Sequence, residues 1–327
     1  MLSTPITGKA RSFMRSFQVV EIMRFQIVSM NVSASLFEYG AELQGRGEPT
    51  QKDIIVGSVM LLMTVSAVSL GIINLTLIWK MEIFHNAFGW FWASRTVGEV
   101  LNNIIHTLYS APVTIMQPKG IPVQLGVAVF IAGYFCAFGS CIMHQIVSLN
   151  RCVAVYYPLK YKRLFTKQNC AKVIAAVWIP VPFILATYII FPCNLIGYSP
   201  QLYEYTFVNP QLYEYTFVKC SADLGRDYSI VGTVINRTCW VLCCFTIMTD
   251  LATLCRIIYI RRVKKIGVQN VDMKRNIRFF VQTTVQNFTM IICTTLIVIA
   301  NNEYHVDNEV IHILGFGSLV LTHINNS

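Results

Sequence analysis

IIVGSVMLLMTVSAVSLGIINLTLIW, residues 54–79, carries no charged side chain and ends against Lys80. Its twenty-six residues, at about 1.5 Å each, exceed the roughly 30 Å of hydrocarbon in a bilayer. Lipid offers no partner for backbone N–H and C=O groups, so such a run reads as a spanning α-helix. Similar runs follow at 88–116, 123–149, 171–192, 229–259 and 279–301. The second carries Arg95, Glu99, Asn102, Asn103 and His106, and the fourth holds Trp178, Pro180 and Pro182. A last run at 310–325 has fifteen apolar-segment residues from Val310 to Ile324, roughly 22 Å, short of a full span; it reads as a truncated seventh helix. The expected fold class is an all-α membrane protein, a seven-transmembrane helix bundle over 54–325.

Composition agrees. Of 327 residues 54% are hydrophobic and 13% charged, with mean hydropathy +0.53, whereas a soluble domain carries about 25% charged residues. Too few charges remain to coat a globule. The net charge of +10 raises nucleic acid as a partner, but the placement of the cations decides against it. The connections after the first, third and fifth spans hold fifteen Lys and Arg: Lys80; Arg151, Lys160, Lys162, Arg163, Lys167 and Lys172; Arg256, Arg261, Arg262, Lys264, Lys265, Lys274, Arg275 and Arg278. Those after the second, fourth and sixth hold three, Lys119, Lys219 and Arg226. Cations stay on the cytoplasmic side of a membrane. The N-terminus is therefore expected outside, with residues 1–53 as an extracellular segment, and the basic excess serves topology and anionic lipid headgroups. The expected partner is the lipid bilayer, not nucleic acid.

Within that N-terminal segment, Lys9, Arg11, Arg15 and Arg24 work against an outside location. Residues 1–29 read as foreign to the native product, with Met30 as its start. Asn31-Val32-Ser33 is a glycosylation sequon on the outer side. Farther along, PQLYEYTFV stands twice, at Pro200–Val208 and at Pro210–Val218, with Asn209 between. A tandem duplication explains it, tolerated because lengthening a loop costs little entropy. Each copy also alternates, with Tyr203, Tyr205 and Phe207 on one face, so a second reading, compatible with the first, is a β-hairpin with its turn at Asn209-Pro210. Eleven cysteines include no CxxC pair and no Cys/His cluster at zinc spacing; neither metal nor cofactor is expected.

Charges inside spans are costly, about 2.5–3.5 kcal/mol each on insertion scales, so they should face protein or water. Arg95 and Glu99, four apart, share a helical face and neutralise each other as a structural pair, or else leave Glu99 as a polar switch in the core. Arg237 lies about nine residues, roughly 13 Å, below the outer end of the fifth span. There it suits a ligand pocket or a pairing with a neighbouring helix. Asp250, thirteen residues on, sits toward the cytoplasm, where Arg151 or Arg256 can partner it. Glu99, His106, Arg237 and Gln286 are the ligand-pocket candidates, although His106 and His144 also read as hydrogen-bonded core residues. No Ser-His-Asp arrangement, paired-carboxylate site or phosphate loop is present, so no enzyme is expected.

The local motif with most content is Ser148-Leu149-Asn150-Arg151-Cys152-Val153-Ala154-Val155-Tyr156-Tyr157-Pro158-Leu159-Lys160-Tyr161. A buried helix ends in an arginine, an apolar turn follows, proline breaks the helix and basic residues begin. This resembles the segment after the third helix of rhodopsin-like G-protein-coupled receptors. With Gly71-Ile72-Ile73-Asn74, Asn86-Ala87-Phe88-Gly89 and Arg278-Phe279-Phe280-Val281-Gln282-Thr283-Thr284-Val285-Gln286 at matching positions, the chain from Pro49 to Ser318 resembles the nematode serpentine chemoreceptors of class x (Srx). That resemblance implies a plasma-membrane receptor, in the cilia of sensory neurons, which binds an unknown small-molecule ligand among its helices. It also implies that Asn150, Arg151, Pro158, Lys160, Tyr161, Arg261, Arg262, Lys264 and Lys265 meet a heterotrimeric G protein. Departures exist. Asn150 stands where many such receptors have an acid, and no Asn-Pro-x-x-Tyr element occurs in the last run. Rhodopsin-like receptors tie the outer end of the third helix to the next outer loop, but no cysteine lies between Thr107 and Phe135. Cys193 and Cys220, which bracket that loop on the oxidising side, are expected to pair with each other. The alternatives are a ligand-gated channel or transporter, or a truncated product without function.

Overall fold

Thr50 opens the first helix, α1 (Gln51–Lys80), three residues before the uncharged run begins. Its hydroxyl accepts from the Asp53 N–H, and the Asp53 carboxylate accepts from the Thr50 N–H at 2.8 Å, a reciprocal cap that satisfies orphan helix donors. Asn86 starts α2 (Ala87–Ile105) by accepting from the Gly89 N–H. Over the run 88–116 the backbone is helical but not α throughout. The segment breaks into α2, a π-helical turn at His106–Ser110, and a short α3 (Ala111–Met116). Pro112 has no N–H to give Leu108, so the spiral widens before it, and the Ala111 N–H reaches back to the His106 carbonyl.

The third span is longer than its apolar run. As α4 it covers Val123–Tyr156 and stops where Pro158 begins α5 (Pro158–Leu164). Thr166 caps α6 (Lys167–Trp178), and α7 (Pro180–Ile190) continues it beyond Ile179. Two short antiparallel strands follow, β1 (Ile196–Ser199) and β2 (Glu204–Phe207). The last long helix is α8 (Ile230–Lys264).

The structure, a computed structural model, describes residues 40–190, 195–208 and 230–264, together with 288, 289, 291, 292 and 295, which are helical. The chain divides into two units, Met1–Ala41 and Glu42–Ser327, and of the first only Gly40 and Ala41 are described. The proposed seventh span and nearly all of the sixth lie outside the described residues. Among the described residues four helical stretches are long and apolar enough to cross a membrane: Gln51–Lys80, Val123–Tyr156, Lys167–Ile190 and Arg237–Ile260.

α4 is the hub, packed against α2, α7 and α8, while α1 covers α2 and α3. One apolar core joins Phe91, Met143, Val147, Cys170 and Val177 across α2, α4 and α6. The Trp178 ring fills the space at Gly139, where a Cβ would fall within contact distance of three of its ring atoms, and the indole N–H donates to Ser94 at 2.9 Å. A second core sets Phe138 of α4 against Val181, Leu185 and Tyr188 of α7 and Ile235 of α8. The opposite faces stay apolar and exposed, with Leu62 at 70% and Phe183 at 72%. That inverts a water-soluble surface and suits lipid.

The repeat also departs from expectation. The first copy pairs with the strand before it, Ile196↔Phe207 through Ser199↔Glu204. Pro200–Tyr203 thus makes the described turn, with Tyr203 at φ 57°, and the second copy lies outside the described residues.

Candidate functional site

Toward the end of α4 the helix presents polar side chains to α8 at Gln145, Ser148 and Tyr156, three and eight residues apart. Gln145 meets the Thr246 hydroxyl, and Ser148 donates to the Asp250 carboxylate at 2.7 Å and meets Thr249 at 2.7 Å. Tyr156 donates to the Ala252 carbonyl at 3.1 Å. The two helices therefore run the same way, as alternate membrane spans must. Arg151, half-buried beside this seam, lies with its guanidinium 5.4 Å from the centre of the Phe88 ring. Asp250 lies within electrostatic reach of Arg151 and Arg95's positive charge opposes it. Asn150 is 2% exposed and lies beside the Tyr161 hydroxyl. α5 packs against the end of α4. Burial raises the Tyr161 phenol above its ordinary range, so it remains a neutral partner.

The opposite end is closed by polar groups converging on Asp53, which is wholly buried. Its carboxylate accepts from Arg46 at 2.8 and 3.0 Å, Thr50, Gln117 at 3.0 Å and the Tyr203 hydroxyl at 2.5 Å. Gln117 also donates to the Pro200 carbonyl at 2.8 Å, and Arg46 to that of Gln201 at 3.0 Å. Burial, joined by the bond to Asp53, raises the Tyr203 phenol above its usual range. Gly45 is required here, because a Cβ would strike the Gln117 backbone.

Beneath this closure the hairpin lowers two tyrosines between helices. Tyr198 meets the Thr114 hydroxyl at 2.6 Å. The Tyr205 ring lies 5.1 Å from Phe130, 5.7 Å from Tyr198 and 6.1 Å from His106. Tyr188 of α7 stands edge-on to Phe130 at 5.7 Å and to Tyr134 at 5.9 Å. The wall below is polar. His106 meets Ser110 at 3.1 Å, Asn103 donates to the Glu99 carbonyl, and Arg95 pairs with Glu99 at 2.8 Å. Gly133 leaves the room, since a Cβ there would lie 3.2 Å from the Asn102 oxygen.

The model of the serpentine-type seven-transmembrane GPCR chemoreceptors, class Srx, matches residues 62–326. The chain belongs to the Srx family. No individual curated protein matches it. The Srx family is one of multi-pass membrane receptors, not of enzymes.

In this Srx chain the residues expected at the G-protein side fall together in part. Asn150, Arg151 and Tyr161 are neighbours; Pro158 and Lys160 are exposed on α5. Arg261, Arg262 and Lys264 end α8, their side chains beyond the described part, and Lys265 lies outside it. Glu99 of α2 and His106 of the π-helical turn are both buried, 2% and 1% exposed, and the Arg95–Glu99 pairing read from their spacing is formed. Arg237 is exposed among the described residues, and Gln286 lies outside them. Cys193, Cys220 and Asn31 also lie outside. Among the described residues no His, Cys, Asp and Glu cluster has the make-up of a metal site. The Asp53 hub escaped the sequence reading, although Thr50-x-x-Asp53 before an apolar run is a capping-box signature.

Proposed function

We propose that this Srx protein is a plasma-membrane, G-protein-coupled chemosensory receptor of seven spans, with its N-terminus outside and Asn31 glycosylated there. A small extracellular ligand binds within the helix bundle under the hairpin, against the wall of Glu99 and His106, with Arg237 and Gln286 contributed from the fifth and sixth spans. Cys193 and Cys220 form a disulfide across the same outer loop. By family, the cell surface is that of a sensory cilium.

Ligand binding shifts the equilibrium only through tighter binding to the active arrangement than to the resting one. The inner ends of the fifth and sixth spans then part. Asn150, Arg151, Pro158, Lys160, Tyr161, Arg261, Arg262, Lys264 and Lys265 form the surface that a heterotrimeric G protein meets. The observation that carries this reading is the setting of Arg151. It stands on the seam between α4 and α8, stacked on Phe88 and faced by Asp250, so separating the helices would change its partners.

The test is nucleotide exchange on a co-expressed Gα subunit in membranes, read with a labelled GTP analogue. Arg151→Ala is expected to keep wild-type surface levels, measured with an N-terminal tag, and to reduce exchange to that of mock membranes. Undiminished exchange in that variant would overturn the coupling role.

A further inference from the structure

The space between the hairpin and His106 is taken by a ring that the chain itself supplies. Tyr205 faces Tyr198 across the two strands, so both side chains leave the hairpin on the same side. The Tyr205 ring stands edge-on to Phe130 at 5.1 Å and to Tyr198 at 5.7 Å, and tilted to His106 at 6.1 Å. All three lie within the roughly 4.5–7 Å over which ring pairs attract. Ser110, whose hydroxyl meets His106 at 3.1 Å, lies beside the Tyr205 hydroxyl. Gly133 and Asn102 line the same end: a Cβ on Gly133 would lie 3.9 Å from the Tyr205 oxygen and 3.2 Å from the Asn102 side-chain oxygen.

Those are the surroundings of a bound ligand: rings around an apolar body, and a few polar groups at one end. The ring also arrives as a ligand does, from outside the helices. It is carried by a four-residue strand. The hairpin is fastened at other points, by Tyr203 on Asp53, Tyr198 on Thr114 and the Pro200 carbonyl on Gln117. Withdrawing Tyr205 therefore breaks no helix.

We propose that Tyr205 is a tethered occupant of the ligand site, so that the ligand is a small phenol and competes with this ring for the same place. The inference rests on the position of the pocket given under the proposed function. A tethered group acts at an effective concentration on the order of millimolar. A free phenol that only reproduces the contacts of Tyr205 therefore gains little on the wild-type chain, while a chain without the ring accepts it. The native ligand binds more tightly than the bare side chain, through further substituents on the phenol.

The test uses the full chain purified in detergent and reads the heat-unfolding midpoint. Tyr215 stands at the same place in the second PQLYEYTFV copy, so both tyrosines are changed together. Tyr205→Ala with Tyr215→Ala removes the ring and is expected to lower the midpoint by several degrees. The probe is 4-methylphenol, the tyrosine side chain as a free molecule. At millimolar concentration it is expected to restore about half of that loss or more, and toluene, which lacks the hydroxyl, much less. The wild-type midpoint is expected to stay unchanged with either compound, because its site is filled. The alanine variant is expressed with and without 4-methylphenol, so that a chain needing the filled site to fold is still recovered. Tyr205→Phe with Tyr215→Phe spares the ring and is expected to lose a few degrees that neither compound restores. No rescue of the alanine variant, equal rescue by toluene, an equal shift of wild type, or a phenylalanine variant as stable as wild type overturns the tethered occupant. These measurements read binding alone. Rescue by 4-methylphenol in a chain that drives no nucleotide exchange on Gα leaves the occupant standing and overturns only the coupling.

Discussion

Arg151 has asparagine, not an acid, immediately before it, yet it does not lack an anion: α8 brings Asp250 to it through space. From sequence, Asp250 could be assigned only to Arg151 or Arg256. The fold separates the two, since Arg256 lies over the Tyr156 and Tyr259 rings at 5.6 and 5.5 Å. The motif residues were legible because a helix end, a proline and a basic run are local facts. The facing residue was not, because helix rotation and crossing set it. If the Arg151–Asp250 attraction favours the resting arrangement, removing the charge weakens that arrangement specifically. Asp250→Asn keeps the size and the Ser148 hydrogen bond but deletes the negative charge. A charged interaction of about 1.5–3 kcal/mol corresponds to a roughly tenfold or greater shift in the resting-to-active ratio. Basal GTP-analogue exchange in membranes is expected to rise several-fold at equal surface level. Exchange at or below wild type would show that Asp250 does not hold the resting state.

The elements were more legible than their interruptions. A bilayer imposes length and apolarity on every helix that crosses it, so α1, α4 and α8 announced themselves through hydropathy. Their ends were less visible: α4 runs seven residues past its apolar stretch to Tyr156, because Asn150 and Arg151 do not break a helix and Pro158 does. The π turn was invisible to a hydropathy count, yet it has a local cause in Pro112 and a tertiary consequence. It sets the rotation of α3, and so carries Thr114 to the Tyr198 hydroxyl. Deleting Thr107 removes the extra residue and restores a regular helix, turning α3 by about 100° relative to α2. Thr114→Val removes only the hydroxyl, at about 1 kcal/mol. The deletion is therefore expected to lower heat stability and surface yield far more than Thr114→Val does. Equal stability of the two variants would mean that the turn does not position α3 for the hairpin.

At the scale of the whole molecule, packing and charge give the same sidedness by independent routes. The charge count used only loop composition. The contacts use only geometry: Arg151 lies on Phe88 at the start of α2, and Lys167 at the start of α6 lies 5.6 Å from the Trp90 ring. Phe91 meets Phe165 between those same ends. At the other ends Gln44 binds Ile121, and Arg46 binds the turn of the hairpin. Helices that reverse direction at each crossing thus bring the basic connections to one end and leave Lys119 at the other. Neither route says which end faces the cytoplasm without the bias of cations toward that side. A membrane-impermeant amine reagent separates the two orientations, because Lys119, Lys160, Lys162, Lys167 and Lys172 are all exposed. In intact cells Lys119 is expected to react, and the other four only after permeabilisation, as read by peptide mass mapping. Labelling of Lys160 and Lys162 in intact cells would reverse the topology. It would also remove the Arg151 surface from the reach of any cytoplasmic partner.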